Sequence, residues 1–374
     1  MKISIRFIYT YTIVFFLLYS SGTPVSNNLF PIMRIGLFVL AVFGVFAFSK
    51  VADRKTMVYM SVMCVWMLIS HLVNWTDGID TIIGMILIVI SSVLFTQIVG
   101  RNEFEEAYSN IMCFLAIISL SVVVIQNVMP EVIMTLPTYL GYGIYKNVGF
   151  LCFVSLSPLY QMSSAVNASI FREVGVYQFY LLLALCIELC RLKKRRKRII
   201  LFIVNMLLIM STAGIISLFI LIIGWSVKAV KDGKIKRCYL VAIFAVIISA
   251  GIYANMNHSE LFAKFESGSS SNVSLVDRLA TIESDLNCIA LNPILGLATK
   301  ATSGSACGIT STAATFGILF VLILIYMMYL YFRKKQSDVI GPIYMFGAVF
   351  AGLLTQNLML LPVVLVFIFY GLET

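Results

Sequence analysis

Long apolar runs separated by short polar connections are the dominant pattern of this 374-residue chain. A helix needs about 20 apolar residues to cross a membrane, and these runs are continuous rather than alternating with period two. The pattern therefore predicts one all-α polytopic membrane domain, residues 1–374, with about 12 transmembrane helices. The predicted spans are 7–22, 30–48, 56–73, 79–99, 111–129, 173–191, 199–211, 213–230, 238–256, 306–332, 339–354 and 357–371.

Two connections are much longer than the others, and with both termini on one side they fall on the same face of the membrane. The first, 130–172, is rich in proline, glycine and tyrosine. The second, 257–305, contains a Ser/Gly tract followed by a predicted helix over 275–290. We expect these two large loops to carry the functional groups that the apolar spans lack.

Composition supports a membrane location. The chain is 60% hydrophobic and 12% charged, whereas soluble domains contain about 45–50% apolar and about 25% charged residues. The net charge of +10 could suit nucleic acid, but it is concentrated in short juxtamembrane runs such as 193–198. Such runs face anionic lipid, so membrane lipids rather than nucleic acid are the predicted partners.

The basic residues are distributed unevenly between the two sides. Of the 27 lysines and arginines, 21 fall on one set of alternate connections and six on the other. Because the side rich in lysine and arginine is cytoplasmic, the two large loops are predicted to face outward. The six outer cations are Arg34, Lys146, Arg172, Lys264, Arg278 and Lys300.

A charged pair, Arg172 and Glu173, opens the sixth span on this cation-poor side. It could be an ion pair that anchors the helix end. It could also be an anion clamp, in which the guanidinium binds phosphate and the carboxylate orients it or accepts a proton. Tyr177, one turn later, offers a ring that could stack on a sugar face.

The second loop carries Asp277 and Arg278 at the start of its predicted helix, where Asp277 could act as the helix cap. A solvated amphipathic helix would look similar. Asn292, Pro293 and Gly296 follow in a predicted turn, in which proline fixes one backbone angle and glycine permits a conformation that other residues resist.

Metal and cofactor chemistry is not predicted. The eight cysteines show no metal-ligand spacing, and the two histidines are too far apart in the sequence to form a recognisable motif. We therefore expect no metal and no cofactor.

Taken in order, these segments resemble the O-antigen and capsular polysaccharide polymerases, which belong with the O-antigen ligases in one superfamily of membrane enzymes. The resemblance lies in an FREVGVYQF segment opening a span, an arginine followed by LNPILG, and a small-residue run leading into FGILF. It implies a fold similar to the GT-C type, and it implies location in the bacterial cytoplasmic membrane with the active site facing outward.

The resemblance also implies a reaction. Members of the family transfer oligosaccharide from undecaprenyl diphosphate to a second lipid-linked unit, in O-antigen, capsule or exopolysaccharide biosynthesis. Arg172 and Arg278 match the outer-loop arginines that hold the diphosphate, and the turn from Asn292 to Gly296 matches the loop end over the site. The resemblance does not identify the general base; from its position beside Arg172, Glu173 is the candidate base or arginine orienter. A chain-length regulator and a flippase are the implied partner proteins.

Two alternatives remain open. A lipid-linked-oligosaccharide flippase would also have many spans, although transporters place polar residues near the midplane and show repeated halves. A ligase typically carries a histidine near the start of the span after the second loop, where this chain has 308–312, GITST. The missing histidine favours the polymerase over the ligase.

Overall fold

The protein is described here by a computed structural model that covers residues 4–48, 53–75, 78–141, 143–156, 166–191, 193–209, 211–233, 273–301, 307–335 and 340–372. The helices are α1 Ile5–Tyr19, α2 Pro24–Asn28, α3 Phe30–Phe48, α4 Arg54–Asn74, α5 Ile79–Ile98, α6 Arg101–Val128, α7 Pro130–Thr135, α8 Val174–Cys190, α9 Arg196–Ile209, α10 Thr212–Lys231, α11 Val273–Leu291, α12 Gly308–Phe316, α13 Ile318–Arg333, α14 Ile340–Thr355 and α15 Pro362–Tyr370. The strands are β1 Thr138–Leu140, β2 Ile144–Val148, β3 Cys152–Leu156 and β4 Val166–Asn167.

The helical membrane architecture agrees with the prediction. Among the described residues, five helices are long and apolar enough to cross a membrane, and α1, α8, α13 and α14 are shorter apolar helices. The predicted number of spans is not confirmed. Span 238–256 lies outside the described residues, span 306–332 is divided at Gly317 into α12 and α13, and α15 has only nine residues.

Helix α6 begins at Arg101, ten residues before the predicted span. The Glu103 carboxylate accepts a hydrogen bond from the backbone N–H of Gly100 at 3.3 Å, as at a helix start. Arg101 and Glu105 pair at 3.1 Å, one turn apart. These charged residues extend the helix because each has a partner, which hydropathy alone does not reveal.

The first large loop contains a small antiparallel sheet that was not predicted. Its order is β1-β2-β3-β4, with Tyr145 opposite Ser155 and Val154 opposite Asn167. Cys152 and Val154 lie on the face that packs into a small apolar cluster. The segment is rich in aromatic and β-branched residues between glycine turns, which are the features that favour strands over an irregular loop.

The bundle has two chemically distinct ends. At the basic end, Arg6 pairs with Glu103 at 2.8 Å and Arg191 pairs with Glu106 at 2.7 Å. The sheet marks the other end, which we call the sheet end. The described cations that were predicted to lie outside fall at the sheet end, where they belong to β2 or to the starts of α3 and α8, or contact the ends of α4 and α14. These cations are Arg34, Lys146, Arg172, Arg278 and Lys300.

Two helices form the centre of the bundle. All residues of α15 are buried, and so are those of α8 from Gly175 to Glu188. The Tyr370 hydroxyl at the end of α15 donates to the Val99 carbonyl oxygen at 2.9 Å. Helices that are apolar on every side are expected in such a central position, because they are enclosed by other helices.

One cation, Arg34, is buried within the bundle itself. Its side chain occupies the space next to Gly84, where a Cβ atom on α5 would overlap the guanidinium. Asp80, one turn earlier on α5, interacts with it electrostatically. The close approach of α3 to α5 therefore depends on a glycine facing an arginine.

Candidate functional site

Arg172 is fixed through its backbone at the start of α8. Its N–H donates to the Gly22 carbonyl oxygen at 2.9 Å, and its own carbonyl oxygen accepts from the Tyr145 hydroxyl at 3.1 Å. Gly22 belongs to the turn after α1, and Tyr145 belongs to β2. Strand β2 and the turn after α1 thus set the position of Arg172, although Tyr145 and Gly22 are 27 and 150 residues away in sequence.

The Arg172 and Glu173 side chains form a loose and accessible ion pair. Arg172 Nε lies 3.6 Å from Glu173 Oε1, and the two side chains are 23% and 41% exposed. Glu173 is the N-cap residue of α8, but its side chain makes no capping hydrogen bond. The carboxylate is therefore directed to the arginine and to solvent rather than to the helix end.

Arg278 reaches the same region from α11. One of its guanidinium nitrogens donates to the Thr355 carbonyl oxygen, at 3.5 Å, where α14 ends. The next residue, Gln356, is buried, and its amide fills the space beside Gly175, two residues after Glu173. We call Gly175, Thr355 and Gln356 the α8–α14 corner. Arg278 contacts this corner at Thr355, and Arg172 lies three residues before Gly175 in the chain.

A second set of polar contacts supports this corner. The Gln356 carbonyl oxygen accepts from the N–H of Gly308, the first residue of α12, at 3.1 Å. The Asn357 amide donates to the Ser311 hydroxyl at 3.2 Å. The Thr310 hydroxyl donates at 2.7 Å to Asp285, which is fully buried on α11. These contacts join α11, α12 and the end of α14.

Sequence reasoning did not place Gln356, Asn357 or Asp285 in the site. The signal for the first two is a polar stretch, 355–357, between two apolar spans. Such a stretch also fits an ordinary connection between helices. Asp285 has no such signal, because only the structure shows that this loop acid is buried.

Asp277 is not a helix cap. Helix α11 begins at Val273, so Asp277 is the fifth residue of the helix rather than the residue before it. An N-cap residue precedes the first helical residue, and the helix already begins four residues before Asp277. Substrate binding by Asp277 stays a prediction.

The predicted turn after α11 is present. The Asn292 carbonyl oxygen accepts from the Gly296 N–H at 2.9 Å, and its side-chain oxygen accepts from the Leu295 N–H at 3.2 Å. Gly296 has a φ of +66° and packs so closely on the backbone of Thr315 that a Cβ atom would overlap it. Glycine is thus required here for both conformation and space.

This turn docks on a different group of helices from the arginines. The Asn74 amide of α4 donates to the Gly296 carbonyl oxygen at 2.9 Å, and the Ile318 N–H of α13 donates to the Pro293 carbonyl oxygen at 2.8 Å. The turn therefore lies at the junction of α4 and α12–α13. Substrate binding by Asn292, Pro293 and Gly296 stays a prediction.

Tyr177 does not offer a free ring to a ligand. It is fully buried, stacks on Phe171 with 5.9 Å between ring centroids, and points its hydroxyl at Asn205. The prediction of sugar stacking failed because α8 is a central helix, whereas a tyrosine near a span end was expected to lie at the membrane surface.

The structure offers no reactive thiol at Cys152 and, among the described residues, no cluster of metal ligands. Burial raises the pKa of the Cys152 thiol to about 12, so it is a neutral thiol and not a nucleophile. Among the described residues, no group of three or more His, Cys, Asp or Glu side chains is placed to hold a metal ion.

No protein-family model, no curated protein and no solved structure matches this chain.

Proposed function

We propose that this chain is a glycosyltransferase that polymerises oligosaccharide repeat units carried on undecaprenyl diphosphate. It acts at the outer face of the bacterial cytoplasmic membrane, with a fold of the GT-C type. The observation that supports this proposal is that Arg278 contacts the α8–α14 corner at Thr355, while Arg172, from the other large loop, begins the segment that enters the same corner at Gly175.

In the proposed mechanism, the arginines hold the diphosphate of the donor. A guanidinium matches the geometry of phosphate oxygens and stabilises the negative charge that develops as undecaprenyl diphosphate leaves. The 3.6 Å between Arg172 Nε and Glu173 Oε1 exceeds the usual 2.7–2.9 Å of a tight charge-assisted bond. The Arg172–Glu173 pair is thus looser than a tight charge-assisted bond.

Glu173 is the proposed proton acceptor. A hydroxyl of the second lipid-linked unit attacks the anomeric carbon of the first, forming the new glycosidic bond as the bond to diphosphate breaks. The hydroxyl proton passes to the Glu173 carboxylate, which is accessible and not used as a helix cap.

Asp285 is the proposed positioning residue for Arg278. The two residues lie seven positions apart on α11, which places them on the same face of the helix, two turns apart. The hydrogen bond from Thr310 holds Asp285 against α12. The contact between α11 and α12 therefore fixes the direction in which Arg278 extends.

Alanine substitution of the arginines tests the proposal. The double variant Arg172→Ala/Arg278→Ala should insert into the membrane normally and make no long-chain polysaccharide, and each single variant should lower the rate about 10²- to 10³-fold. The rate is measured as polymer formed by purified protein in proteoliposomes supplied with lipid-linked repeat units from a strain that lacks this protein.

Lys300→Ala provides the matched control. Lys300 is another cation at the sheet end, but it donates to the Asn74 carbonyl oxygen at 2.6 Å, away from the α8–α14 corner. This variant should polymerise at the wild-type rate. Long chains of normal length from the double arginine variant would show that the diphosphate is not held by these residues.

The strain that lacks this protein separates the polymerase from the two alternatives, because each loss leaves a different product. Loss of a polymerase leaves single repeat units on the outer face, where a ligase still transfers them. Loss of a flippase keeps the lipid-linked units on the inner face, and loss of a ligase leaves long chains attached to undecaprenyl diphosphate. Either of the last two outcomes would replace the proposed reaction.

A further inference from the structure

A small cleft adjoins the α8–α14 corner, between α8, α10 and α14. It contains about 190 Å³ of space between atoms, part of it open to solvent, and its deeper part has room for about one water molecule. Gly175 and Thr355 line it, and Thr355 also accepts the hydrogen bond from Arg278, so the cleft begins beside this arginine. Gln178 of α8 and Gly214 and Ser217 of α10 also line it.

The Gln178 amide is held in a fixed orientation. Its nitrogen donates to the Met206 carbonyl oxygen of α9 at 2.7 Å. Its oxygen lies over Gly214, at a position that any Cβ atom would occupy, and makes no hydrogen bond to the described residues. The side chain is 1% exposed. A buried acceptor of this kind is stabilised only when a donor reaches it.

Ser217, on α10, adds a second unused polar group to the lining of the cleft. It is 1% exposed, and its hydroxyl makes no hydrogen bond to the described residues. Serines in the interior of a helix usually donate to the carbonyl four residues earlier, as Ser91 and Ser92 do here. Ser217 does not, which leaves its hydroxyl available to a group in the cleft.

We propose that this cleft binds one hydroxyl group of the glycan, with Gln178 as the hydrogen-bond acceptor and Ser217 as its partner in the cleft. The inference rests on the proposed function, because it takes the substrate to be a sugar whose diphosphate lies at Arg172 and Arg278. A hydroxyl is the group that fits, since it is about the size of a water molecule and both donates and accepts.

The cleft then acts as a specificity site. An epimer that directs this hydroxyl elsewhere, or a deoxy sugar, leaves the buried oxygen of Gln178 without a donor. Sites built around a buried hydrogen bond discriminate strongly against ligands that lack the group. Gly214 and Gly352 keep the cleft open, because a Cβ atom on either would overlap a side chain of α8.

The test is Ser217→Ala, with Ser226→Ala as its matched control. Ser226 lies on the same helix, is also buried and also has a hydroxyl without a hydrogen bond among the described residues, but it does not line the cleft. Ser217→Ala should raise the KM for the lipid-linked repeat unit about 3- to 10-fold with kcat and melting temperature near wild type. Ser226→Ala should change none of the three.

A second variant guards against a purely structural effect. Gly214→Ala should push the Gln178 amide into the cleft and raise KM at least as much as Ser217→Ala. Unchanged KM in Ser217→Ala, or an equal rise in Ser226→Ala, would overturn the cleft assignment while wild-type protein still polymerises. Wild-type protein that forms no polymer would overturn the proposed function and this inference with it.

Discussion

Carboxylates inside the bundle are each placed against hydroxyl or guanidinium groups. Glu188 is fully buried near the end of α8, where it accepts from the Ser109 hydroxyl at 2.5 Å and lies 3.0 Å from Arg191 Nε. Asp285 accepts from Thr310 in a similar way at the opposite end. A buried charge without such partners is strongly unfavourable. At the scale of single residues, these pairs determine which acids the bundle can enclose.

At the start of α4, a hydrogen-bonded carboxylate makes stability depend on pH. Asp53 caps the helix by accepting from the Thr56 N–H at 3.1 Å and from its hydroxyl at 2.7 Å. The hydrogen bond from the Thr56 hydroxyl lowers the pKa of Asp53 below its ordinary value of 3.8. Because the folded-state pKa is depressed, the stabilisation is present above the unfolded-state pKa and is lost as pH falls through the folded value.

We therefore expect Asp53→Ala to lower the free energy of unfolding by about 1 kcal/mol at pH 7. The penalty should shrink as the pH falls below about 4. Denaturant unfolding of the purified protein at pH 7 and pH 3.5 measures both. Asp53→Asn is the control, because a neutral asparagine caps about as well and carries no titrating group. An equal penalty for Asp53→Ala at both pH values would rule out the charge contribution.

At the scale of elements, the break between α12 and α13 organises the second loop. Gly317 has a φ of +89° and a ψ of 163°, a conformation available in practice only to glycine. The break frees backbone groups that then bind the turn after α11, including the Ile318 N–H, which donates to Pro293. A continuous helix over 306–332 would have no place for this turn.

Gly317→Ala should destabilise the protein by about 3 kcal/mol or more, since it adds backbone strain and a steric clash. The new Cβ atom would overlap the Ile294 carbonyl oxygen. Gly347→Ala is the matched control: Gly347 lies within α14 and has only ordinary contact with its neighbour, Ile220, at 3.7 Å. Thermal unfolding in detergent compares the two. Equal melting temperatures would show that the break does not need glycine.

Helices with long apolar runs could be predicted from the sequence. Elements whose bounds depend on contacts with distant residues could not. The predicted spans 56–73, 79–99 and 213–230 correspond closely to α4, α5 and α10. The break at Gly317 was missed because one glycine in an apolar run does not reveal its φ angle. The sheet was missed because its short strands lie in a segment that also fits a turn-rich loop.

The candidate site was predictable only in part, for a related reason. Arg172, Glu173 and Arg278 were found because charges on a cation-poor face are conspicuous. Tyr177 was misjudged because its burial depends on helices that are distant in sequence. Gln178 and Ser217 were not noticed, since one amide and one hydroxyl in apolar spans acquire meaning only when α8 and α10 bring them together.

At the scale of the whole molecule, the two ends of the bundle should lie on opposite sides of the membrane. Lys194 is exposed at the basic end, and Lys300 is at the sheet end. In the proposed orientation, a membrane-impermeant maleimide added to intact cells should label Lys300→Cys several-fold above the wild-type background and should not label Lys194→Cys. Labelling should reverse in inside-out vesicles. Labelling of both variants from the same side would contradict the topology.

The arginine of α3 that fits against Gly84 has a consequence for biogenesis. During synthesis α3 leaves the ribosome before α5. At that stage the Arg34 guanidinium has neither the space beside Gly84 nor the Asp80 carboxylate as a partner. An isolated arginine within a span opposes partitioning into lipid. We therefore expect nascent chains that stop before α5 to retain α3 at the translocon, and chains that include α5 to release the two helices together. Crosslinking of staged nascent chains would detect this difference, and early release of α3 would argue against such coupling.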